Sequence, residues 1–207
     1  MAGRHESSRR QQILETLARM LEEQPHDRIT TAQLAAALSV SEAALYRHFP
    51  SKARMYEGLL DFIDDVVFSR IRTILDEETD AVMRCGKMVS LLLTFAARNP
   101  GMMRLLTGDA LIGEDERLAA RVAQFFDRIE MQLRQVLREG VLNPAAPLVV
   151  DVNAGANLLL AVIEGRIRQY VRSGFKHLPN AGWDAQWSLL RSALQVGSPL
   201  KMTAEMA

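Results

Sequence analysis

An all-α chain is what this sequence predicts. Apolar residues recur three and four positions apart through each long segment, the period of one helix face. Capping residues, prolines and glycines cut the chain at the ends of those segments. No stretch alternates apolar and polar residues between turn signals, so no strand is expected. The 207 residues suffice for one or two small domains, and 48% hydrophobic content is too high for a disordered chain.

The helices follow in order. Residues 11–23 carry Ile13, Leu14, Leu17, Ala18, Met20 and Leu21 on one stripe, ended at Gln24-Pro25-His26-Asp27. Thr30 caps a short helix over 31–38, with Gln33 reaching back to the cap. Ser39-Val40 is a tight connection, and Ser41 caps a second short helix to His48. Phe49-Pro50 stops it, and Ser51 caps a longer one over 52–76. Further helices are expected over 81–98, 102–106, 115–139, 148–172 and 183–196, with breaks at Asn99-Pro100-Gly101, around Gly108 and Gly113, at Asn143 to Pro147, and over 174–182. Three parts result: a head of residues 1–51, a helical body of 52–196, and a flexible tail of 197–207.

Composition excludes several functions. Lys plus Arg and Asp plus Glu both number 25, which excludes a uniformly basic, histone-like protein. The single cysteine, Cys85, excludes a disulfide framework and a cysteine-rich zinc site and fits a reducing compartment. No apolar run is long enough to span a membrane, and the N-terminus lacks the apolar stretch of a secretory signal. A cytoplasmic protein is expected. No GxSxG, HExxH or Walker-type glycine loop occurs, so no enzyme is expected. His5, His26, His48 and His177 are scattered singly, so neither metal nor other cofactor is expected. Asp61, Asp64 and Asp65 read as a solvated helix face.

The stretch Ile29 to Lys52 carries the chemistry. Leu34, Ala35, Leu38, Val40, Leu45 and Phe49 fall where two steeply crossing helices bury them, which is a helix-turn-helix pattern. The second helix turns Glu42, Ala43, Tyr46, Arg47 and His48 outward. Arg47, His48 and the Tyr46 hydroxyl suit phosphates or base edges. Ala43 suits a thymine methyl, and Glu42 a cytosine amine. Thr30, Thr31 and Ser41 place hydroxyls at two helix starts, where free N–H groups favour phosphate oxygens, and Lys52 starts the next helix beside them. Residues 1–56 hold 8 Lys/Arg against 6 Asp/Glu, a net +2, and the remainder is net −2. Arg4, Arg9 and Arg10 precede the first helix and are expected to form a flexible arm. Packing alone also explains a short helical hairpin, and caps occur at any helix start; the coincidence of cap, turn, aromatic and basic residues on one face favours DNA.

Thr30-Thr31-Ala32-Gln33-Leu34-Ala35 and Val40 to Lys52 together resemble the DNA-binding signature of the TetR family of bacterial transcription regulators. The resemblance implies a three-helix DNA-binding head and a C-terminal helical domain that dimerises through its last two long helices. Ser39 stands where that family often has glycine, and a left-handed backbone there costs roughly 1 kcal/mol. Leu91-Leu92-Leu93 with Phe95, Arg98 to Gly101, Gln132 to Glu139, and Val171-Arg172-Ser173 with Phe175-Lys176 extend the similarity to the nucleoid occlusion branch of the family. That resemblance implies dimers on palindromic chromosomal DNA, with two dimers per site as one arrangement, in a nucleoid-associated protein that antagonises the tubulin-like division protein FtsZ. It assigns the FtsZ surface, suited to an acidic C-terminal tail, to Phe62, Arg70, Leu91, Thr94, Arg98 and Asn99, with Thr94 where a glycine is expected. The alternative is a ligand-responsive repressor, which would need an apolar pocket in the body.

The helix over 148–172 is apolar on more than one side. Leu159, Ile163, Ile167 and Tyr170, with Trp187 and Leu190 of the last helix, are the expected dimer interface in a symmetric four-helix contact; the other reading is a helix buried within one subunit.

Overall fold

The computed structural model describes residues 2–25, 27–143 and 148–195, and these are helical throughout their regular elements. They form α1 (Ala2–Glu23), α2 (Thr31–Ala37), α3 (Glu42–His48), α4 (Lys52–Glu77), α5 (Ala81–Arg98), α6 (Pro100–Leu106), a 3-10 turn (Asp109–Leu111), α7 (Glu116–Val141), α8 (Val152–Arg172) and α9 (Trp183–Gln195). The expected tail and the centre of the loop before α8 lie outside the described residues.

Side chains define most helix starts. Thr30 accepts from the Gln33 amide while the Gln33 side chain accepts from the Thr30 amide, completing a capping box. Ser41, Ser51, Asp80, Asp115 and Asp151 cap α3, α4, α5, α7 and α8. Each such cap is worth about 1 kcal/mol. Asn99 closes α5 by donating its side-chain amide to the Phe95 carbonyl, and Pro100 then starts α6 two residues earlier than expected. Proline suits that first position because its missing N–H has no helical partner there.

Ile13 and Leu17 of α1 pack with Leu34, Leu45 and Phe49 to make the head's core. In the body α5 is central, contacting α4, α6, α7, α8 and α9. Cys85, Val89, Leu93 and Ala96 along it are fully buried. Burial pushes the Cys85 thiol up to about 12, with Asp80 adding to the rise. Burial, then the nearby Glu114 charge, pushes the Tyr56 hydroxyl up to about 12. Both groups stay protonated in the fold while the unfolded chain ionises near their ordinary values of 9.0 and 10.0. Their contribution to stability is therefore complete below the lower of those values and fades as pH rises toward 12. A falling urea midpoint from pH 8 to pH 11 is expected; a flat one counts against it.

Three expectations need correction. Arg9 and Arg10 lie on α1, which begins at Ala2, and not on a flexible arm. Arg10 donates to the His48 carbonyl and stacks 4.2 Å over the Phe49 ring, so it ties α1 to α3. Asp61 and Asp64 do not simply face solvent: they pair with Arg121 and Arg128 of α7, and Arg128 also covers the Phe68 ring. Leu159, Ile163, Ile167 and Tyr170 are buried inside the subunit, at most 3% exposed, because this side of α8 packs on α5 and α7. Trp187 and Leu190 are half-buried against the same core. The side of α8 left exposed carries Ala154, Leu158 and Ala161, and α9 exposes Ala185 and Leu189. These small and aliphatic residues, spaced three, four and seven apart, form the stripe available to a second copy.

Candidate nucleic-acid interface

The turn between α2 and α3 sets the geometry of the head. Ser39 is left-handed, with φ of 55°, as its position in the turn predicts. That lets the Ser39 amide donate to the Ala36 carbonyl and the Val40 amide to the Ala35 carbonyl, each at 3.0 Å. Ser39→Gly is expected to raise stability by about 1 kcal/mol in urea unfolding, since glycine adopts this backbone freely. No gain would show that the Ser39 conformation is unstrained.

The outer faces of α2 and α3 meet through side chains. The Thr31 hydroxyl donates to Glu42 at 2.6 Å, and the Tyr46 hydroxyl donates to Thr31 at 3.3 Å. Glu42 is thereby held by the protein itself. Tyr46, Arg47 and Ala43 are exposed on the same helix. Ser41 is exposed, its oxygen accepting from the Ala44 amide. His48 is half-buried and its Nδ1 has no hydrogen-bond partner among the described residues, so it is less presented than expected. Lys52 is also withdrawn, for its ammonium is 2.7 Å from Glu114. Exposed hydroxyls at two helix starts beside an exposed arginine and tyrosine suit a phosphate backbone and the base edges between its strands.

A second concave surface lies where head meets body. A groove of about 320 Å³ between α1, α4, α5 and α6 is lined by Leu14, Arg19, Phe62, Arg98, Asn99 and Met102 among others. It brings together three of the residues expected to meet a partner: Phe62, Arg98 and Asn99. Arg70, Leu91 and Thr94 lie outside its lining: Arg70 is exposed further along α4, and Leu91 and Thr94 are half-buried on the α5 face that carries Arg98. Sequence reasoning missed the α1 wall, although Leu14 and Ala18 sit at its edge as incompletely buried apolar residues.

Among the described residues, no three His, Cys, Asp or Glu side chains gather to hold a metal ion, and no helix is long and apolar enough to cross a membrane. Fold and interface together define a class: a helix-turn-helix DNA-binding regulator built on a helical body. Residues 13–59 match the family of bacterial regulatory proteins of tetR type, and residues 79–195 match the tetracyclin repressor-like C-terminal domain of the SlmA-like kind. The chain belongs to the TetR family, within the group of the nucleoid occlusion factor SlmA. It is 55% identical over 194 residues to nucleoid occlusion factor SlmA of Shewanella amazonensis, covering 94% of this chain and 98% of that one. With the same factor of Idiomarina loihiensis it shares 52% identity over 187 residues, 90% of this chain and 95% of the relative. A TetR regulator from Haloarcula marismortui has the same fold, with a TM-score of 0.75 at 20% identity over 92% of this chain and all of that one. AibR, solved with isovaleryl coenzyme A and operator DNA, shares it with a TM-score of 0.62 at 18% identity, covering 90% and 98% of the two chains. Proteins of this family are DNA-binding regulators and not enzymes.

Proposed function

We propose that this chain is a nucleoid occlusion factor that, as dimers on palindromic chromosomal sites, antagonises FtsZ polymerisation and blocks division over the nucleoid in the cytoplasm. Its units are the DNA-binding head of residues 1–51 and the regulatory and dimerising body of 52–196. Symmetric pairing through the exposed stripe of α8 and α9 sets two recognition helices roughly 34 Å apart, one turn of duplex. Leu158→Glu, which places a charge in that stripe, is expected to yield a monomer by light scattering; a persistent dimer would move the interface elsewhere.

The observation that carries the partner reading is the groove shared by α1 of the head and α4 to α6 of the body. Phe62 and Met102 offer apolar cover, and Arg19, Arg98 and Asn99, beside Glu15 and Glu22 on the α1 wall, offer donors to an acidic peptide, the chemistry suited to an FtsZ tail. Because one wall belongs to the head, a head position selected by DNA alters the groove, which couples the two ligands. The test is sedimentation of FtsZ polymers with this protein, with and without palindromic chromosomal DNA. Inhibition that needs the DNA and is lost in Phe62→Ala and Arg98→Glu, while DNA binding persists, supports the reading. Equal inhibition by the variants sinks the site, and equal inhibition without DNA sinks the coupling.

A further inference from the structure

Glu114 lies in the connection between the 3-10 turn and α7, far from the head in sequence. Its carboxylate is nevertheless only 8% exposed, closed in by Arg28 of the head and by Lys52, the first residue of α4 where the body joins the head. One of its oxygens accepts from Lys52 Nζ at 2.7 Å and from Arg28 Nε and Nη2 at 3.2 and 3.1 Å. Arg28 also donates to the Gly113 carbonyl at 3.0 Å, and the Lys52 ammonium stands 5.2 Å from the centre of the Tyr56 ring.

The positions of these two cations give the contact its meaning. Arg28 comes two residues before Thr30, the cap of α2, and Lys52 is the first residue of α4, next to its cap Ser51. In a helix-turn-helix head, helix starts and the cations beside them receive backbone phosphates. Here an anion of the body already occupies both cations. An ammonium group is a single compact charge, and a phosphate oxygen that claims it competes with the carboxylate.

We propose that Glu114 is an internal competitor for DNA phosphates, a positioning residue that holds Lys52 and Arg28 in the free protein and yields them to the duplex. DNA occupancy then unlatches the head from the connection between α6 and α7. Since α6 also forms one wall of the groove at the head–body junction, the release gives the body a local report that the head is loaded. The inference rests on the DNA-binding role of the head but does not need the identity of its site, because phosphate contacts are independent of sequence.

The sign of one substitution separates competition from support. Glu114→Gln keeps the side chain's size and removes its charge. If Glu114 competes, affinity for a labelled duplex of random sequence at fixed salt rises at least about fivefold, the low end of coupling between sites. If it only braces the head, affinity falls. Glu116→Gln removes the same charge from an exposed neighbour without a head contact, so an equal gain there reduces the effect to net charge and overturns the proposal. In a Lys52→Gln background the gain from Glu114→Gln is expected to shrink by most of its size; an undiminished gain also overturns it. Failure of the wild-type dimer to bind the duplex at any salt would instead remove the DNA role of the head, and the latch with it.

Discussion

Gly101→Ala is expected to destabilise the protein by about 3 kcal/mol or more, an effect at the upper end of overpacking costs. A Cβ at this position would lie 2.1 Å from the Ala18 carbonyl oxygen and 2.9 Å from the Glu22 amide nitrogen, both backbone atoms of α1. Neither can rotate aside, so α6 must move off α1. The movement breaks more than one contact. Arg104, three residues further along α6, is buried and donates to the carbonyls of Leu21, Gln24 and Asp27 at the end of α1, and to Asp109 at 2.6 Å. Leu21 lies in the last turn of α1, and the Gln24 carbonyl also accepts from the Asp27 amide at 3.2 Å, so Arg104 adds side-chain donors that tie this end of α1 to α6. Arg104→Met is expected to cost a similar amount, about 3 kcal/mol, by removing the guanidinium's buried bonds to the end of α1 and the chain after it and leaving Asp109 without its partner. Urea unfolding of both variants at one fixed protein concentration checks this, since the proposed dimerisation would make apparent stability depend on concentration. A loss below about 1 kcal/mol for Gly101→Ala would mean that the close approach of α6 to α1 is not rigid. Because Ala18 and Gly101 line the groove at the head–body junction, both variants are also expected to weaken binding of the proposed partner there.

Much of the architecture was legible in local signals. Thr30 with Gln33, Ser41 and Ser51 announce three helix starts through caps that act within three residues, and the structure shows each of those bonds. The left-handed turn at Ser39 falls where the resemblance to the TetR family implies a glycine. What stayed hidden depends on residues distant in the chain. Glu114 meets Lys52 across 62 positions, and Arg104 meets Leu21 across 83, and no periodicity records such pairs. Asp61 and Asp64 read as a solvated face because their arginine partners sit on another helix. The reversal of α8 has a different cause. A helix apolar on two sides does not say which side meets its own subunit, and the bulky Leu159, Ile163 and Tyr170 turned inward to α5 and α7. Side-chain size does not separate the two sides either: Leu158 lies outside with Ala154 and Ala161, while Ala156 is fully buried. The extended α1 was missed because its first turns carry no apolar stripe: Arg9 and Gln11 are exposed, and Arg10 meets the His48 carbonyl and the Phe49 ring, both distant in the chain.

Arg47→Ala is expected to lower affinity for cognate duplex by roughly 10- to 100-fold while leaving urea stability within about 0.5 kcal/mol of the parent. The side chain is exposed near the end of a recognition helix only 7 residues long, so few other groups on α3 can reach a base edge. Among the described residues its guanidinium has no protein partner, whereas Glu42 is occupied by Thr31, Lys52 by Glu114 and Arg10 by the His48 carbonyl. Arg47 is therefore free to meet the duplex at no cost in broken internal bonds. What it meets can be separated experimentally. A bidentate contact to guanine is worth about 1–3 kcal/mol of discrimination, so its loss narrows the gap between cognate and random duplex. A phosphate contact instead weakens both equally and lowers the salt slope by about 1. Tyr46→Phe is the companion: it keeps the ring and removes the hydroxyl bonded to Thr31, so a loss there reports the hydroxyl alone. If Arg47→Ala binds both duplexes like the parent, α3 does not enter the groove through this face, and the assignment of the recognition surface fails.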